Sequence, residues 1–265
     1  LAQWGKWVRA FGGRELGTPG LQDVLDNLFP KNKQTTQRVK RPLPINLVHN
    51  ICCDLLGTVK EEDAKQKPDH IKHWMALRDW AWLCLGFFCL LRKSEIINLR
   101  CNDFRFDSKG LPVEVRVRKS KQDAAGVGEW VPIPKSTGLF FDMRKLLRTY
   151  LNSLAAAGFK GDDFLITKYE KKAQTKKPYG KQGLWSRLRT LLGKYMSPNK
   201  VKEYGTHSLR RGGTTHYRTL GMPTREMQKL GRWRSTCFDI YDETDLRQVA
   251  YVQEQVLLST RPWAP

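Results

Sequence analysis

Residues 206–213 read Thr206-His207-Ser208-Leu209-Arg210-Arg211-Gly212-Gly213, and residues 231–235 read Gly231-Arg232-Trp233-Arg234-Ser235. The first stretch opens a helix expected over Thr206 to Leu220, with Thr206 as its cap. His207 and Arg210, three positions apart, then share one face near the helix start. Free backbone N–H groups beside a His and an Arg make an anion site. Read on spacing alone, a solvated basic helix start fits equally well. Tyr241 follows Trp233 by eight positions.

Working upstream, Leu91-Arg92-Lys93-Ser94-Glu95-Ile96 follows a long apolar helix expected over Ile71 to Leu91. Arg92 and Glu95 are again three apart. An arginine ending an apolar helix is costly unless it is paired or used. Strict alternation over Val113-Glu114-Val115-Arg116-Val117-Arg118 predicts a strand, with Trp130 to Ile133 as the return strand. The hairpin between them carries Arg118-Lys119-Ser120-Lys121-Gln122-Asp123 and a flexible turn over Ala124 to Gly128.

Further helices are expected at Leu43–Leu56, Leu139–Ala157, Gly183–Tyr195, Thr224–Leu230 and Asp245–Leu258. Glu61 to Asp69 reads as a polar loop, and Phe164 to Ile166 as a short strand. Lys168 to Lys181 reads as a basic loop in which Lys171, Lys172, Lys176 and Lys177 are either solvated or candidate contacts to the phosphates of a polyanion. The fold class is mainly α with a small antiparallel β-sheet. Residues 1–29 look helical, and Thr18 with Pro19 suits the start of a helix over Leu21 to Phe29. The proline-rich basic stretch from Pro30 to Pro44 reads as a linker.

Lys and Arg number 47 against 26 Asp and Glu, so the 265 residues carry a formal charge of +21. Nine Trp and eleven Phe exclude a disordered basic tail. The charge points to a polyanion, whether DNA, RNA or an anionic membrane surface. The six cysteines show no zinc spacing, and Cys84 and Cys89 read as buried thiols in a reducing compartment. The longest apolar run, Trp80 to Leu91, is too short for the ~20 residues that span a bilayer. The chain starts at Leu1 with no signal peptide, which suggests a fragment.

Taken together, these motifs resemble the catalytic domain of the tyrosine recombinases, the strand-exchange family of phage-type integrases. That family has an R-x-x-E helix, a hairpin Lys, H-x-x-R, a His or Trp, and a Tyr nucleophile. Here Arg92 with Glu95, Lys121, His207 with Arg210, Trp233 and Tyr241 match in order across residues 42–245. The Gly-Arg-Trp-Arg-Ser box and the Trp-to-Tyr spacing look most like recombinases of eukaryotic mobile elements of the DIRS, Ngaro and Crypton groups.

The resemblance implies an α+β catalytic domain over 42–265. Residues 1–41 would be the remnant of a helical DNA-clamping domain plus linker. It also implies double-stranded DNA as partner and a covalent 3′-phosphotyrosyl intermediate, with no metal and no cofactor. Arg92 and Arg210 would clamp the nonbridging oxygens, with hydrogen bonds from His207 and the Trp233 indole. Tyr241 would attack phosphorus, its phenol favoured toward the phenolate by the cations. Lys121 would protonate the leaving oxygen, with Lys119 left open as its competitor. Glu95 would orient Arg92 or His207, while Arg211 and Arg232 would be phosphate contacts or surface charges.

The helix Asp245 to Leu258 would dock into a neighbouring protomer of a tetrameric synapse or back onto its own core. A eukaryotic host would place the protein in the nucleus, and otherwise it would be cytoplasmic and DNA-associated, with no membrane role. Two other readings are a type IB topoisomerase and a domesticated DNA-binding module that no longer cuts.

Overall fold

In the computed structural model, the description covers residues 40–67, 69–118, 128–135, 142–170 and 173–233. Helix α1 spans Ile45–Asp63 and α2 spans His70–Phe88. The corner between them is built by two carboxylates. Asp69 caps α2 by accepting from the backbone N–H groups of Ile71 and Lys72, each at 3.0 Å. Glu62 is fully buried, accepting from the Lys65 ammonium at 2.7 Å and the Asp69 N–H at 2.9 Å. Glu61 to Asp69 is therefore not simply a surface loop: α1 runs to Asp63 because Glu62 is needed inside.

Helix α2 is the centre of the core. Trp80 through Leu85 are all fully buried, since α1, α4 (Met143–Ala156) and α7 (Thr206–Thr219) cover it on different sides. Its one strongly polar pair is satisfied internally. Arg78 donates to Asp79 at 2.8 Å, and Asp79 also accepts from Arg187 of α5 (Lys181–Leu192) and from the Trp82 indole. A buried carboxylate held by two guanidiniums ties α2 to α5 without an unpaired charge. Burial pushes the Arg78 guanidinium downward, but Asp79 together with Tyr179 and Tyr150 outweighs it and the net shift is upward.

The expected helix over Ile71 to Leu91 ends earlier, at Phe88. Leu90 turns the chain with φ +50°, a left-handed conformation for a branched-side-chain residue. Such a residue costs about 1–3 kcal/mol and persists only where surrounding contacts enforce it. Here Leu90 is fully buried and its carbonyl is bonded by two arginines described below. The chain restarts as a short helix, α3 (Lys93–Asn98), with Arg92 as its N-cap in extended conformation. Arg92 thus stands before a helix rather than at the end of one.

A three-stranded antiparallel sheet follows, β1 (Phe104–Phe106), β2 (Pro112–Val117) and β3 (Glu129–Pro132), in the order β1-β2-β3. Val115 faces Val131, and both are buried, as the alternating pattern of β2 predicts. Helix α4 (Met143–Ala156) starts at Asp142, whose carboxylate accepts from the Lys145 N–H.

The expected strand at Phe164–Ile166 is instead a single bridge from Phe164 to Arg100. The expected basic loop is a hairpin, β4 (Thr167–Glu170) with β5 (Ala173–Pro178). The lysines at 168, 171, 172, 176 and 177 leave no alternating apolar period, which is the signal a strand is read from. Helices α5 (Lys181–Leu192), α6 (Pro198–Val201), α7 (Thr206–Thr219) and α8 (Thr224–Gly231) complete the order.

All described residues fall in one compact unit that starts at Lys40. The five free cysteines among them include buried Cys52, Cys84 and Cys89, as expected for the latter two. Among the described residues, no helix is long and apolar enough to cross a membrane. The expected elements over 1–39, the hairpin tip and the helix Asp245–Leu258 lie outside the described residues.

Candidate active site

Helix α7 carries the His-x-x-Arg motif, and two glycines decide where it sits. A Cβ on Gly212 would lie 2.1 Å from the Leu43 carbonyl oxygen, and one on Gly213 would lie 2.1 Å from that of Phe87. These glycines let α7 lie directly against the end of α2. The Leu43 N–H donates to the Ser208 carbonyl at 2.9 Å and fixes the start of α7. Gly205, not Thr206, is the N-cap; its N–H donates to the Ser208 hydroxyl at 2.9 Å, while Thr206 is buried as the first helical residue.

Arg210 is buried at the floor of the site. It donates to the carbonyls of Leu90 and Gly231, and its guanidinium carbon is 4.3 Å from the Trp233 ring centroid. His207 reaches the surface one turn earlier. Partial desolvation, then the charges of Arg210, Lys93, Arg92 and Arg211, hold its imidazole below the ordinary range. A histidine flanked this way is neutral at pH 7, with one ring nitrogen free to donate and the other to accept.

Arg92 and Glu95 form a tight pair. The Arg92 guanidinium donates to Glu95 Oε1 at 2.7 Å, and the Arg92 backbone N–H donates to Oε2 at 2.6 Å. Arg232 donates to the same Oε2 at 2.7 Å and to the Leu90 carbonyl at 3.3 Å. Burial pushes the Glu95 carboxyl up, but Arg232 and then Arg92 outweigh it and hold it below the usual range. An unbroken path of bonds therefore runs from Arg210 through the Leu90 carbonyl to Arg232, Glu95 and Arg92.

This geometry narrows one expectation and corrects others. Glu95 pairs with Arg92, the first of the two partners foreseen, and not with His207. Arg232 is not a surface charge: its side chain is 3% exposed and committed to Glu95. Arg211 is likewise buried. Lys176 is drawn to Asp163 at 2.6 Å and to the Gly158 carbonyl at 2.8 Å, while Lys177 is exposed. Lys119, Lys121, Lys171, Lys172 and Tyr241 lie outside the described residues.

Trp233 packs with Leu90 and Met227 in a small buried cluster, and Tyr217 joins it by donating its hydroxyl to the Phe88 carbonyl at 2.8 Å. Burial, and then Cys89, push its phenol upward, and the bond to Phe88 makes Tyr217 a packing residue as expected.

The comparisons with known proteins bear on this arrangement. A model described as the phage integrase family matches residues 58–241, more than half of the chain. The chain belongs to the phage integrase family. The matched span of this integrase-family chain covers Arg92, Glu95, His207, Arg210, Trp233 and Tyr241.

Among solved structures, the XerA recombinase is 16% identical with a TM-score of 0.57, over 83% of this chain and 66% of that one. The XerH site-specific recombinase, bound to palindromic difH substrate in a post-cleavage complex, is 16% identical with a TM-score of 0.55. That match covers 84% of this chain and 56% of XerH. The chain thus spans between half and two thirds of the recombinases it resembles, and at this identity the likeness is one of fold. No curated protein matches the chain.

Proposed function

We propose that this chain cuts and rejoins DNA strands at specific sites through a covalent 3′-phosphotyrosyl intermediate. The observation that carries the reading is the bonded path from Arg210 to Arg92, with His207 beside it. It supplies two positioned guanidiniums and a neutral imidazole in one place, which suits an oxyanion that gains charge in its transition state. The side chain of Arg92 is 17% exposed, so it is not sealed from a phosphate as Arg210 and Arg232 nearly are. The XerH complex, captured after cleavage of its substrate, supports the same chemistry on this fold.

In this reading Tyr241 is the nucleophile. Its attack on phosphorus breaks the bond to the 5′-oxygen, which leaves with a proton from Lys121 or Lys119. The phosphotyrosine conserves the bond energy until a second 5′-hydroxyl displaces the tyrosine. The Gly231-Arg232-Trp233 box favours the DIRS, Ngaro and Crypton types of mobile-element recombinase. Residues 1–41 would belong to a helical DNA-clamping domain. Asp245 to Leu258 would dock into the next protomer of a synaptic tetramer. The large positive charge serves the duplex backbone, so affinity should fall steeply with salt.

Incubation with a nicked suicide duplex, followed by a denaturing gel, tests the reading. A covalent protein–DNA band is expected from the unmutated protein. Binding without any band would favour a DNA-binding module that has lost cutting.

A further inference from the structure

We infer that Arg232 is a positioning residue that fixes and electrically frees Arg92 through Glu95, rather than a contact to DNA. The inference rests on the strand-exchange reading above. It begins with the backbone. Arg232 caps α8 in the left-handed conformation, φ +56° and ψ +48°. This single turn sends Trp233 onto Arg210 and the Arg232 side chain inward toward Glu95.

The guanidinium then bridges separate elements. Besides Glu95 Oε2, it donates to the Leu90 carbonyl at the end of α2 and to the Leu230 carbonyl of its own helix at 3.0 Å. Its Nε lies 4.0 Å from Glu129 Oε2, at the first residue of β3. Within Glu95, Oε2 is held by Arg232 and by the Arg92 backbone N–H, so the carboxylate cannot rotate. Oε1 is thereby fixed against the Arg92 guanidinium.

Charge balance gives the second half of the argument. Glu95 alone would neutralise Arg92 and blunt its attraction for a phosphodiester. With Arg232 on the other oxygen, the Glu95 carboxylate is shared between two guanidiniums and neutralises Arg92 only in part, while the half-exposed Glu129, 4.0 Å from Arg232, offsets Arg232 from the solvent side. Arg232 is nearly fully enclosed, whereas the Arg92 side chain is partly exposed. Placement inside the protein suits a residue that acts on Arg92 and excludes one that grips the duplex.

The test compares Arg232→Lys and Arg232→Gln in the full chain. The cleavage probe is a nicked duplex pool of randomised sequence, read as the rate of covalent adduct at saturating DNA. Both variants should slow the adduct about a hundredfold, the cost of a catalytic group misplaced by roughly an ångström. Affinity for the intact randomised duplex and its salt slope should stay unchanged. Arg92→Gln/Arg232→Gln should be no slower than Arg92→Gln alone, since both act through one guanidinium. Lowered affinity with a salt slope reduced by about one, and an undiminished rate at saturation, would mark a DNA contact and overturn the inference.

If the unmutated protein forms no adduct, the strand-exchange reading falls, and Arg232 is judged without activity. The ¹⁵Nη spectrum of Arg92 should show slow guanidinium rotation in the parent and averaged signals in Arg232→Gln. Unchanged Arg92 signals in that variant would refute the positioning role. Should Arg232→Gln fail to fold in thermal melts, Arg232→Lys, which keeps the charge but loses the fork, carries both measurements.

Discussion

The Arg210 guanidinium lies over the Trp233 ring, 4.3 Å from its centroid, and both side chains are buried. This stack joins helix α7 to the turn after α8. A desolvated cation–π pair of this kind is worth about 2 kcal/mol. It also accounts for Gly231, where a Cβ would meet the Trp233 ring at 1.7 Å.

Gly231→Ala should therefore displace Trp233 and unstack Arg210, lowering the melting temperature and the rate of adduct formation together. Trp233→Ala should lose about 3–5 kcal/mol, the usual cost of truncating a buried indole. Urea denaturation of both variants measures this. An unchanged midpoint for Trp233→Ala would show that the stack carries no stability.

Two other glycines set up a contrast. Gly213→Ala pushes a Cβ against the Phe87 carbonyl oxygen, a backbone atom that cannot swing away. A loss of at least ~1–3 kcal/mol is expected from such overpacking. Gly57, inside α1, has nothing within 4 Å of the same atom. Gly57→Ala should instead stabilise by about 0.5–1 kcal/mol through reduced chain entropy. Opposite signs in denaturant titrations would confirm the difference in environment.

The α1–α2 corner predicts an acid limb of stability. The Lys65 ammonium, then the Asp69 N–H and Lys72, hold the Glu62 carboxyl down to about 2, from an ordinary value of 4.5. A lowered folded-state value means that the unfolded chain binds more protons. The contribution is therefore full above pH 4.5 and lost as pH falls toward 2. Glu62→Gln should lower stability at pH 7 and flatten the decline across that window. Melting temperatures from pH 7 down to the acid limit test it, and an unaltered slope in the variant would remove Glu62 as the cause.

Tyr241→Phe should abolish the covalent adduct while DNA affinity in gel shift stays unchanged, because only the nucleophilic oxygen is lost. An adduct that persists in this variant would move the nucleophile elsewhere, with Tyr204 and Tyr251 the next tyrosines to replace.

How much of this was readable in advance follows from the range of each interaction. Local patterns were legible: the alternation of Val113 to Val117 gave β2, and the apolar run around Trp80 gave the buried α2. The order of Arg92, His207, Arg210 and Trp233 was enough to suggest the family, because those residue types follow from the chemistry of a phosphodiester. The β4–β5 hairpin was missed because its lysines carry no apolar period. The cap moved by one residue to Gly205, whose own N–H is met by the hydroxyl of Ser208 three positions on.

By itself, the sequence determined the fold class, the identity of the clustered cations and the polyanion they require. Only the tertiary structure decided which cation does what. Arg211, Arg232 and Arg234 look alike in a string, and nothing in periodicity tells a buried arginine from an exposed one. The partner that decides it for Arg232 is Glu95, 137 positions away. A long-range ion pair leaves no local signature, because its cost of desolvation and its gain in charge pairing exist only once the chain has closed around both groups.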